Sequence, residues 1–207
     1  MRKFNEVQIT VEELRLITSA LRRKPACNFL VFGLGNDSYF WSQFNCRGKT
    51  VFLEDDKNWF AGVLKKKPRL TAFLVDYRSR LSQAETLLDS PAVFDLDLPA
   101  EVEGVSWDVI LVDAPLGWGE SAPGRMKSIA AASRLVRPGG DVLVHDCDRP
   151  VEKIYSDRYL KRENLIAEAG KLRHFHISRK SAGALLDMHH QHRAGSFATT
   201  TRKRQAG

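Results

Sequence analysis

Hydrophobic positions along the chain form short continuous runs, and amphipathic stretches separate these runs. A run that is apolar at consecutive positions, not at alternate ones, is typical of a strand buried on both faces of a parallel sheet. Most of the runs end in an acidic residue. The pattern predicts five strands, at Asn28–Gly33, Thr50–Glu54, Thr71–Asp76, Trp107–Asp113 and Gly140–Asp146.

The stretches between the runs have helical spacing. Thr10 followed by Glu13 is a capping box, which predicts a first helix over Val11–Arg23. The alternation of strands and helices predicts an α/β fold of Rossmann type, a mostly parallel open sheet with helices on both faces. Further helices are expected at Asp37–Asn45, Asp56–Lys67, Ser82–Leu88 and Pro123–Arg137.

The last periodic segments predict a terminal antiparallel strand pair, Leu165–Glu168 and Arg173–Ser178, with a turn at Gly170. After Ser178 the periodicity fades, so we expect one folded domain over residues 1–178 and a basic, disordered tail over residues 179–207. Because the tail lacks apolar periodicity, we assign no role to its three histidines, His189, His190 and His192.

The composition excludes several classes of protein. With 207 residues, 43% hydrophobic and 28% charged, the chain can bury a core, so full disorder is excluded. No apolar run approaches the ~20 residues of a membrane helix, and residues 1–8 show no secretory signal. Cys27, Cys46 and Cys147 show no Cys-x-x-Cys spacing, which favours free thiols in a reducing compartment. We therefore expect a cytoplasmic protein, or a Golgi protein if an N-terminal anchor has been removed.

The net charge of +7 is unevenly distributed. Residues 179–207 contain six basic residues and one acidic residue, which leaves 26 basic and 24 acidic residues in the remainder. A nucleic-acid-binding domain usually concentrates its basic residues on the fold. The near neutrality of residues 1–178 therefore disfavours nucleic acid as a partner.

Residues that follow the strands are the first candidates for a ligand site, because open α/β sheets bind ligands at the carboxyl ends of their strands. The turn Gly33-Leu-Gly-Asn-Asp-Ser38 lets a ligand approach the backbone, but Ser38 replaces the third glycine of a dinucleotide fingerprint. Glu54 is placed to accept the hydroxyl hydrogens of a ribose, and Asp76 to receive an adenine amino group.

An adenosine ligand without phosphates fits this pattern, and acidic groups suit the cationic sulfonium of S-adenosylmethionine. The alternative is that the glycines only turn the chain and the acids are solvated strand ends. The predicted cofactor contacts are Gly33, Leu34, Gly35, Asp37, Ser38, Glu54, Asp55, Asp76 and Asp113.

Several blocks resemble the plant glucuronoxylan 4-O-methyltransferases, within the wider polysaccharide-biosynthesis family that includes the irregular-xylem-15 type. The resemblance runs from about Thr10 to Ser178. It implies a class I methyltransferase fold, S-adenosylmethionine as cofactor, and methylation of the 4-hydroxyl of glucuronic acid on xylan. Plant members carry an N-terminal Golgi anchor, which this sequence does not show. The matching blocks are 27–38, 50–57 with Trp59 and Phe60, 77–82, 107–115, 122–126, and 144–146 with Asp148 and Arg149.

Methylation of a sugar hydroxyl needs a base, or a metal that lowers the pKa of the hydroxyl. Asp113, His145 and Asp146 are the candidate catalytic residues, with His145 favoured as the base because its ordinary pKa is near neutral. In the metal alternative, Asp113 and Asp146 with Asp148 would bind Mg²⁺ or Mn²⁺. Adjacent strand residues face opposite ways, so His145 and Asp146 both face the site only if the strand ends at His145. The third alternative is that both merely end the strand.

A uronic acid acceptor also needs a cation. Arg125 is the first candidate because its planar fork suits a carboxylate, and Arg78 and Arg80 are the second. Each of these arginines has a plain alternative, an ordinary ion pair or a solvated position. Trp118, between Gly117 and Gly119, is a candidate for stacking on a sugar or for a lid, with buried packing as the alternative.

Two other functions compete with an O-methyltransferase. One is a non-catalytic scaffold in polysaccharide biosynthesis with the same fold, which the presence of Gly33, Gly35 and Glu54 disfavours. The other is a nucleic-acid methyltransferase, which would show steep salt dependence. In this chain Asp113-Ala-Pro115 is followed by Leu116, whereas base-amino methyltransferases use an Asn/Asp-Pro-Pro-aromatic loop.

Overall fold

A computed structural model describes residues 9–181 and residue 183. Its centre is a seven-stranded sheet with the order β3-β2-β1-β4-β5-β7-β6. Neighbours among β1–β5 pair in parallel, and β7 lies antiparallel between β5 and β6. The predicted fold class is confirmed. The strands are β1 Asn28–Phe32, β2 Lys49–Glu54, β3 Ala72–Leu74, β4 Trp107–Val112, β5 Val136–Val144, β6 Leu165–Ala169 and β7 Leu172–Ile177.

Helices cover both faces of the sheet, and each face has its own apolar core. One core joins α1, α2 and α3 to residues such as Phe29 and Val31, and the other joins α6 to the alternate residues such as Leu30 and Phe32. This division follows from the period of two in a strand buried on both sides. The helices are α1 Val11–Arg22, α2 Ser38–Phe44, α3 Lys57–Lys66, α4 Ala84–Leu87, α5 Ala100–Glu103, α6 Met126–Leu135 and α7 Pro150–Ser156.

The fifth strand differs from its prediction. It begins at Val136, within the stretch predicted as helix, and it contains the Pro-Gly-Gly that was expected to end the helix. The register of β4 against β5 shifts between Trp107 and Val109, and this irregularity takes up the extra residues of β5. The sequence also gave no sign of α7, although Pro150 occupies its first turn, a position that proline favours.

The terminal hairpin of β6 and β7 is present where it was predicted, and Gly170 in its turn has φ +54°. Beyond it, residues 179–181 are helical, and the Ser181 hydroxyl donates a 2.7 Å hydrogen bond to Asn164 Oδ1. The start of the predicted tail is therefore attached to the domain. The rest of that tail, with its three histidines, lies outside the described residues apart from Gly183.

Strand order reverses between β1 and β4, which lie side by side at the centre of the sheet. In such sheets the crevice at this point is the usual ligand site. In the described part of the chain, no helix is long and apolar enough to span a bilayer. Cys27, Cys46 and Cys147 are free, as predicted.

Candidate active site

The turn after β1 lies directly against the end of β4. Gly33 has φ +128°, and a Cβ at this position would be 3.3 Å from the Ala114 Cβ. Its N–H donates a 2.7 Å hydrogen bond to the Leu53 carbonyl. The positive φ favours glycine at this position. The close packing of the turn on Ala114 brings the predicted cofactor site beside Asp113.

The following residues fold the turn onto α2. The Gly35 N–H donates to Ser38 Oγ at 2.8 Å, so Ser38 closes the turn in place of a third glycine. Asp37 Oδ2 accepts a 2.7 Å hydrogen bond from Trp41 Nε1. Burial raises the pKa of Asp37, and the nearby charge of Asp113 raises it further. The carboxylates of Asp37 and Asp113 are therefore close enough for their charges to interact across the turn.

Glu54 is at the predicted strand end but is only 2% exposed. Its carboxylate accepts backbone hydrogen bonds from Leu34 at 3.3 Å, from Asp55 at 3.0 Å and from Asp56 at 2.9 Å. These contacts connect the end of β2 to the turn after β1. Glu54 therefore shapes the predicted cofactor site, and its contact with a ribose stays a prediction.

Asp76 and Arg78 lie together on the surface after β3. Their side chains are 75% and 70% exposed, with Arg78 Nε 3.3 Å from Asp76 Oδ2. Arg78 Nη1 is also 3.4 Å from Asp97 Oδ2. Arg80 is exposed as well. The exposure of these arginines is compatible with both alternatives, so their contact with a substrate and the adenine contact of Asp76 stay predictions.

Asp113, His145 and Asp146 converge at the carboxyl ends of β4 and β5. His145 Nδ1 lies 3.0 Å from Asp113 Oδ1 and 3.4 Å from Asp146 Oδ1. The strand ends at Val144 and Asp146 has φ +60°, so the chain turns and both residues face the same site. The sequence left this question open, since a left-handed residue other than glycine has no strong local signal.

Arg125 is a structural residue of this group, which corrects the expectation that it binds the substrate. Its guanidinium donates to the carbonyls of Asp113 at 2.7 Å, His145 at 2.8 Å and Pro115 at 3.2 Å. It also lies 2.7 Å from Asp146 Oδ2 and 3.4 Å from Asp113 Oδ1. With a side chain only 6% exposed, Arg125 has no face left for a substrate carboxylate.

We call Asp113, Arg125, His145, Asp146 and Arg149 the Asp113 cluster. Arg149 belongs to it because its Nη2 lies 3.0 Å from Asp146 Oδ2. Asp113 is the member with the most exposed side chain, at 32% against 28% for Arg149. Asp113 is therefore the carboxylate best placed to meet a ligand.

The cluster shifts the pKa values of its members in opposite directions. Burial alone would raise the pKa of Asp113, but His145 and Arg125 more than offset this, so the pKa is lowered. Burial alone would lower the pKa of His145, but Asp113 and Asp146 reverse the effect and the pKa is raised. Asp113 is therefore held ionised, and His145 is held in its protonated form to a higher pH than an exposed histidine.

Glu13 of α1 lies behind the cluster, and the sequence did not identify it as a site residue. Its Oε1 is 3.4 Å from His145 Nε2 and accepts a 2.8 Å hydrogen bond from the Lys171 N–H. Its Oε2 accepts from the Thr10 N–H, which completes the predicted capping box. The capping box accounts for Glu13 locally, and no pattern in the sequence indicates its contact with His145.

The donor atoms of Asp113, His145 and Asp146 lie within 4.8 Å of one another, a spacing at which a metal ion can be held. The surrounding charges do not fit this use. Arg125 Nη2 already contacts both carboxylates, and the raised pKa of His145 favours the form that cannot bind a metal. Asp148, the third acid of the metal alternative, is half exposed and instead pairs with Lys171 at 3.2 Å.

The loop that carries Trp118 runs over α7. Trp118 is 64% exposed, so it is not buried packing. Gly117 is buried beneath it against Arg149 and Glu152, two residues that the sequence did not single out as functional. The Gly119 φ of +85° turns the chain at the tip. This loop is the part of the site with the most exposed aromatic surface.

A family model described as IRX15/IRX15L/GXM matches residues 12–94 and 91–175. The chain is 39% identical to glucuronoxylan 4-O-methyltransferase 1 of Arabidopsis thaliana over 191 residues, which covers 82% of this chain and 68% of that protein. It is also 39% identical to arabinogalactan O-methyltransferase 1 of the same plant over 204 residues, covering 87% of this chain and 71% of that protein.

Solved methyltransferases share the fold. The N-methyltransferase NodS from Bradyrhizobium japonicum superposes with a TM-score of 0.50 over 80% of this chain and 94% of that chain, at 12% identity. At that identity the match speaks for the architecture alone. The sequence relatives and the architecture agree with the resemblance drawn from the sequence.

Proposed function

The chain belongs to the IRX15/IRX15L/GXM family, and from this membership and the site we propose an S-adenosylmethionine-dependent O-methyltransferase. Its acceptor is a sugar hydroxyl, namely the 4-hydroxyl of a glucuronic acid unit in a polysaccharide or oligosaccharide. Two similar proteins are named as O-methyltransferases of glucuronoxylan and arabinogalactan, both of them polysaccharides. These names bear out the expectation of an O-methyltransferase.

One contact carries the proposal: the turn at Gly33 lies against Ala114, the neighbour of Asp113. The turn has the open backbone that an adenosine ligand needs, and Asp113 offers the exposed carboxylate that an acceptor hydroxyl needs. Transfer of a group between two molecules requires both to be held in contact and in line. The closeness of the turn and Asp113 at the switch point between β1 and β4 supports such an arrangement.

S-adenosylmethionine, when bound, supplies an electrophilic methyl group. Gly33 and Gly35 would hold it, with Glu54 and Asp37 shaping and polarising the turn. A side chain at Gly33 would narrow this cradle from the direction of Ala114. The residues that are present therefore fit this cofactor.

Asp113 would accept a hydrogen bond from the acceptor hydroxyl and take its proton. A hydroxyl oxygen becomes positively charged as it forms its new bond to carbon, and its proton then becomes strongly acidic. A carboxylate with a lowered pKa therefore suffices as the acceptor, and its negative charge stabilises the developing positive charge. No metal is needed to lower the pKa of the hydroxyl in this arrangement.

His145 would act as a positioning residue, which revises its expected role as the base. It is 4% exposed, with one ring nitrogen towards Asp113 and the other towards Glu13. A ring held between two carboxylates cannot reach an acceptor, but it can fix the orientation of Asp113 and keep it ionised.

The test is titration with S-adenosylhomocysteine by calorimetry, using Gly33→Ala and a matched control, Gly62→Ala. Gly33→Ala should weaken binding by at least about tenfold, because its backbone is left-handed and Ala114 is close. Gly62 has no neighbour within 4 Å of a built Cβ, so its variant should bind as the wild type does. A wild type that does not bind S-adenosylhomocysteine would rule out the proposal and favour a scaffold.

A second assay follows methyl transfer to oligosaccharides that carry glucuronic acid, with and without EDTA. Transfer that persists in EDTA is the expected result. Complete loss with EDTA, restored by Mg²⁺ or Mn²⁺, would overturn the metal-free arrangement of the Asp113 cluster.

A further inference from the structure

Arg149, a member of the Asp113 cluster, and the neighbouring Glu152 have unused hydrogen-bonding capacity. Glu152 of α7 is fully buried, at 0% exposure, and neither of its carboxylate oxygens has a hydrogen-bond partner among the described residues. The Nη1 of Arg149 is likewise buried and without a partner in the described part of the chain. The two groups face each other, with Nη1 3.6 Å from Glu152 Oε1. Because buried polar groups are nearly always paired, this pair points to a ligand.

The backbone of Gly117 lies directly against the pair. A Cβ at Gly117 would collide with Glu152 Oε1 and would lie 2.6 Å from Arg149 Nη1. The neighbouring Trp118 is largely exposed, and Gly119 has φ +85°. The contact is thus made by a loop residue without a side chain, and opening of this loop would expose the pair to a ligand.

The electrostatics suit an anion that also carries hydroxyl groups. Arg149 is anchored to Asp146 through Nη2, 3.0 Å from Oδ2, which leaves Nη1 facing Glu152 and the backbone of Gly117. Burial raises the pKa of Glu152, so this carboxyl is less often charged than an exposed glutamate and repels an anion less. Arg125 cannot bind the anion, because its guanidinium is already used by the cluster.

We propose that Arg149 and Glu152 form the acceptor subsite, in which Arg149 binds the carboxylate of a uronic acid and Glu152 hydrogen-bonds a hydroxyl of the same sugar. This inference rests on the proposed function and names the residues that select its substrate. An arginine presents a planar pair of N–H donors, which matches a carboxylate. Trp118 is placed to cover the sugar from the loop side.

The experiment compares two acceptors, a xylo-oligosaccharide that carries glucuronic acid and the same compound with its carboxyl group reduced to the alcohol. Wild-type protein should prefer the uronate in kcat/KM. Arg149→Gln should raise KM for the uronate by about 10- to 100-fold, the effect of a lost charged hydrogen bond. The change in KM for the reduced acceptor should be much smaller, limited to the effect of Arg149 on the Asp113 cluster, so that the preference disappears.

Glu152→Gln keeps the shape of the side chain, and it should raise KM for both acceptors because both retain the hydroxyl. The control is Arg158→Gln. Arg158 lies in the helical stretch after α7, is partly exposed and pairs with Asp89. The variant should behave as the wild type. Unchanged binding of S-adenosylhomocysteine shows that each variant is folded.

The outcomes separate the two proposals. Methylation of both acceptors at equal efficiency by the wild type, or a uronate preference that survives in Arg149→Gln, would overturn the subsite and leave the methyltransferase intact. A wild type that binds S-adenosylhomocysteine but methylates neither acceptor would overturn the proposed acceptor class and the subsite with it.

Discussion

Two buried groups of charges in the described part of the chain differ in how far their members satisfy one another. In the Asp141 cluster, Asp141 of β5 lies 3.0 Å from both His174 Nε2 and His176 Nδ1 of β7, and its other oxygen pairs with Lys24. Both oxygens of this buried carboxylate have partners. In the Asp113 cluster, both ring nitrogens of His145 face carboxylates. Neither nitrogen makes a well-directed hydrogen bond with a described residue.

The difference separates a group that stabilises the fold from a group that can act on a ligand. In a saturated cluster every donor and acceptor is paired within the protein. Its interactions therefore stabilise the folded state, and none of its groups is available to a ligand. An unsaturated cluster keeps donors and acceptors in fixed positions for a molecule that arrives later, at some cost to stability. The two clusters should therefore respond differently to mutation.

The largest effect should be on activity, in Asp113→Asn. The variant loses the negative charge that accepts the proton, so kcat should fall by about 10²- to 10⁴-fold, as measured by methyl transfer to a glucuronic acid oligosaccharide. Binding of S-adenosylhomocysteine should persist. Asp97→Asn, at a side chain that is 79% exposed, is the matched control and should retain full activity. A kcat within about fivefold of the wild type would exclude Asp113 as the proton acceptor.

A substitution in the Asp141 cluster should lower the stability of the fold and leave methyl transfer unchanged. Asp141→Asn leaves Lys24 and two histidines without their carboxylate, so the free energy of unfolding in urea should fall by about 3 kcal/mol. Asp89→Asn, on an exposed ion pair, should cost less than about 1 kcal/mol. Equal losses in the two variants would contradict the distinction between the clusters.

The stability of the Asp141 cluster should also depend on pH. Burial alone would raise the pKa of Asp141, but hydrogen bonds from His174, Lys24 and His176 reverse this and hold it far below its ordinary range. A lowered folded pKa gives stability that is present above the unfolded pKa of about 3.9 and is lost as the pH falls further. In urea titrations, the difference between the wild type and Asp141→Asn should shrink below about pH 4. A difference that stays constant down to pH 2 would contradict this assignment.

The smallest effect should follow Glu13→Gln. Glutamine can keep the capping-box contact with Thr10, but it loses the acceptor oxygen of the Lys171 bond and the charge behind His145. The pKa of His145 should therefore fall by about one unit or less. NMR titration of the His145 ring measures it, and activity should drop only a few-fold at neutral pH. Glu12→Gln, at the exposed neighbouring position, should not move the His145 pKa. If the His145 pKa is unchanged in Glu13→Gln, Glu13 does not act on His145 and is not part of the active site.

The elements that the sequence predicted correctly are those whose signals lie within their own residues. The strands β1, β2 and β4 followed from apolar runs, and α1 followed from Thr10 and Glu13, because each signal lies within the element itself. Asp113, His145 and Asp146 were found because the carboxyl ends of parallel strands meet at one edge.

The sequence did not predict residues whose roles depend on distant partners. Arg125 was assigned to the substrate because its partners, three backbone carbonyls and two carboxylates, come together only in the folded chain. Glu152 gave no signal because a glutamate in a short helix is ordinarily solvated, and only its burial beneath Gly117 makes it unusual. Burial and pairing over long separations are tertiary properties, which periodicity does not carry.

The position of Glu13 has a consequence for anyone who wishes to shorten this enzyme. A minimal version that starts at β1 would keep all seven strands and the glycine turn. It would nevertheless lose the carboxylate that backs His145 and the bond to Lys171, 158 positions further along the chain. The first helix therefore belongs to the smallest catalytic unit, and trimming or replacing it amounts to editing the active site.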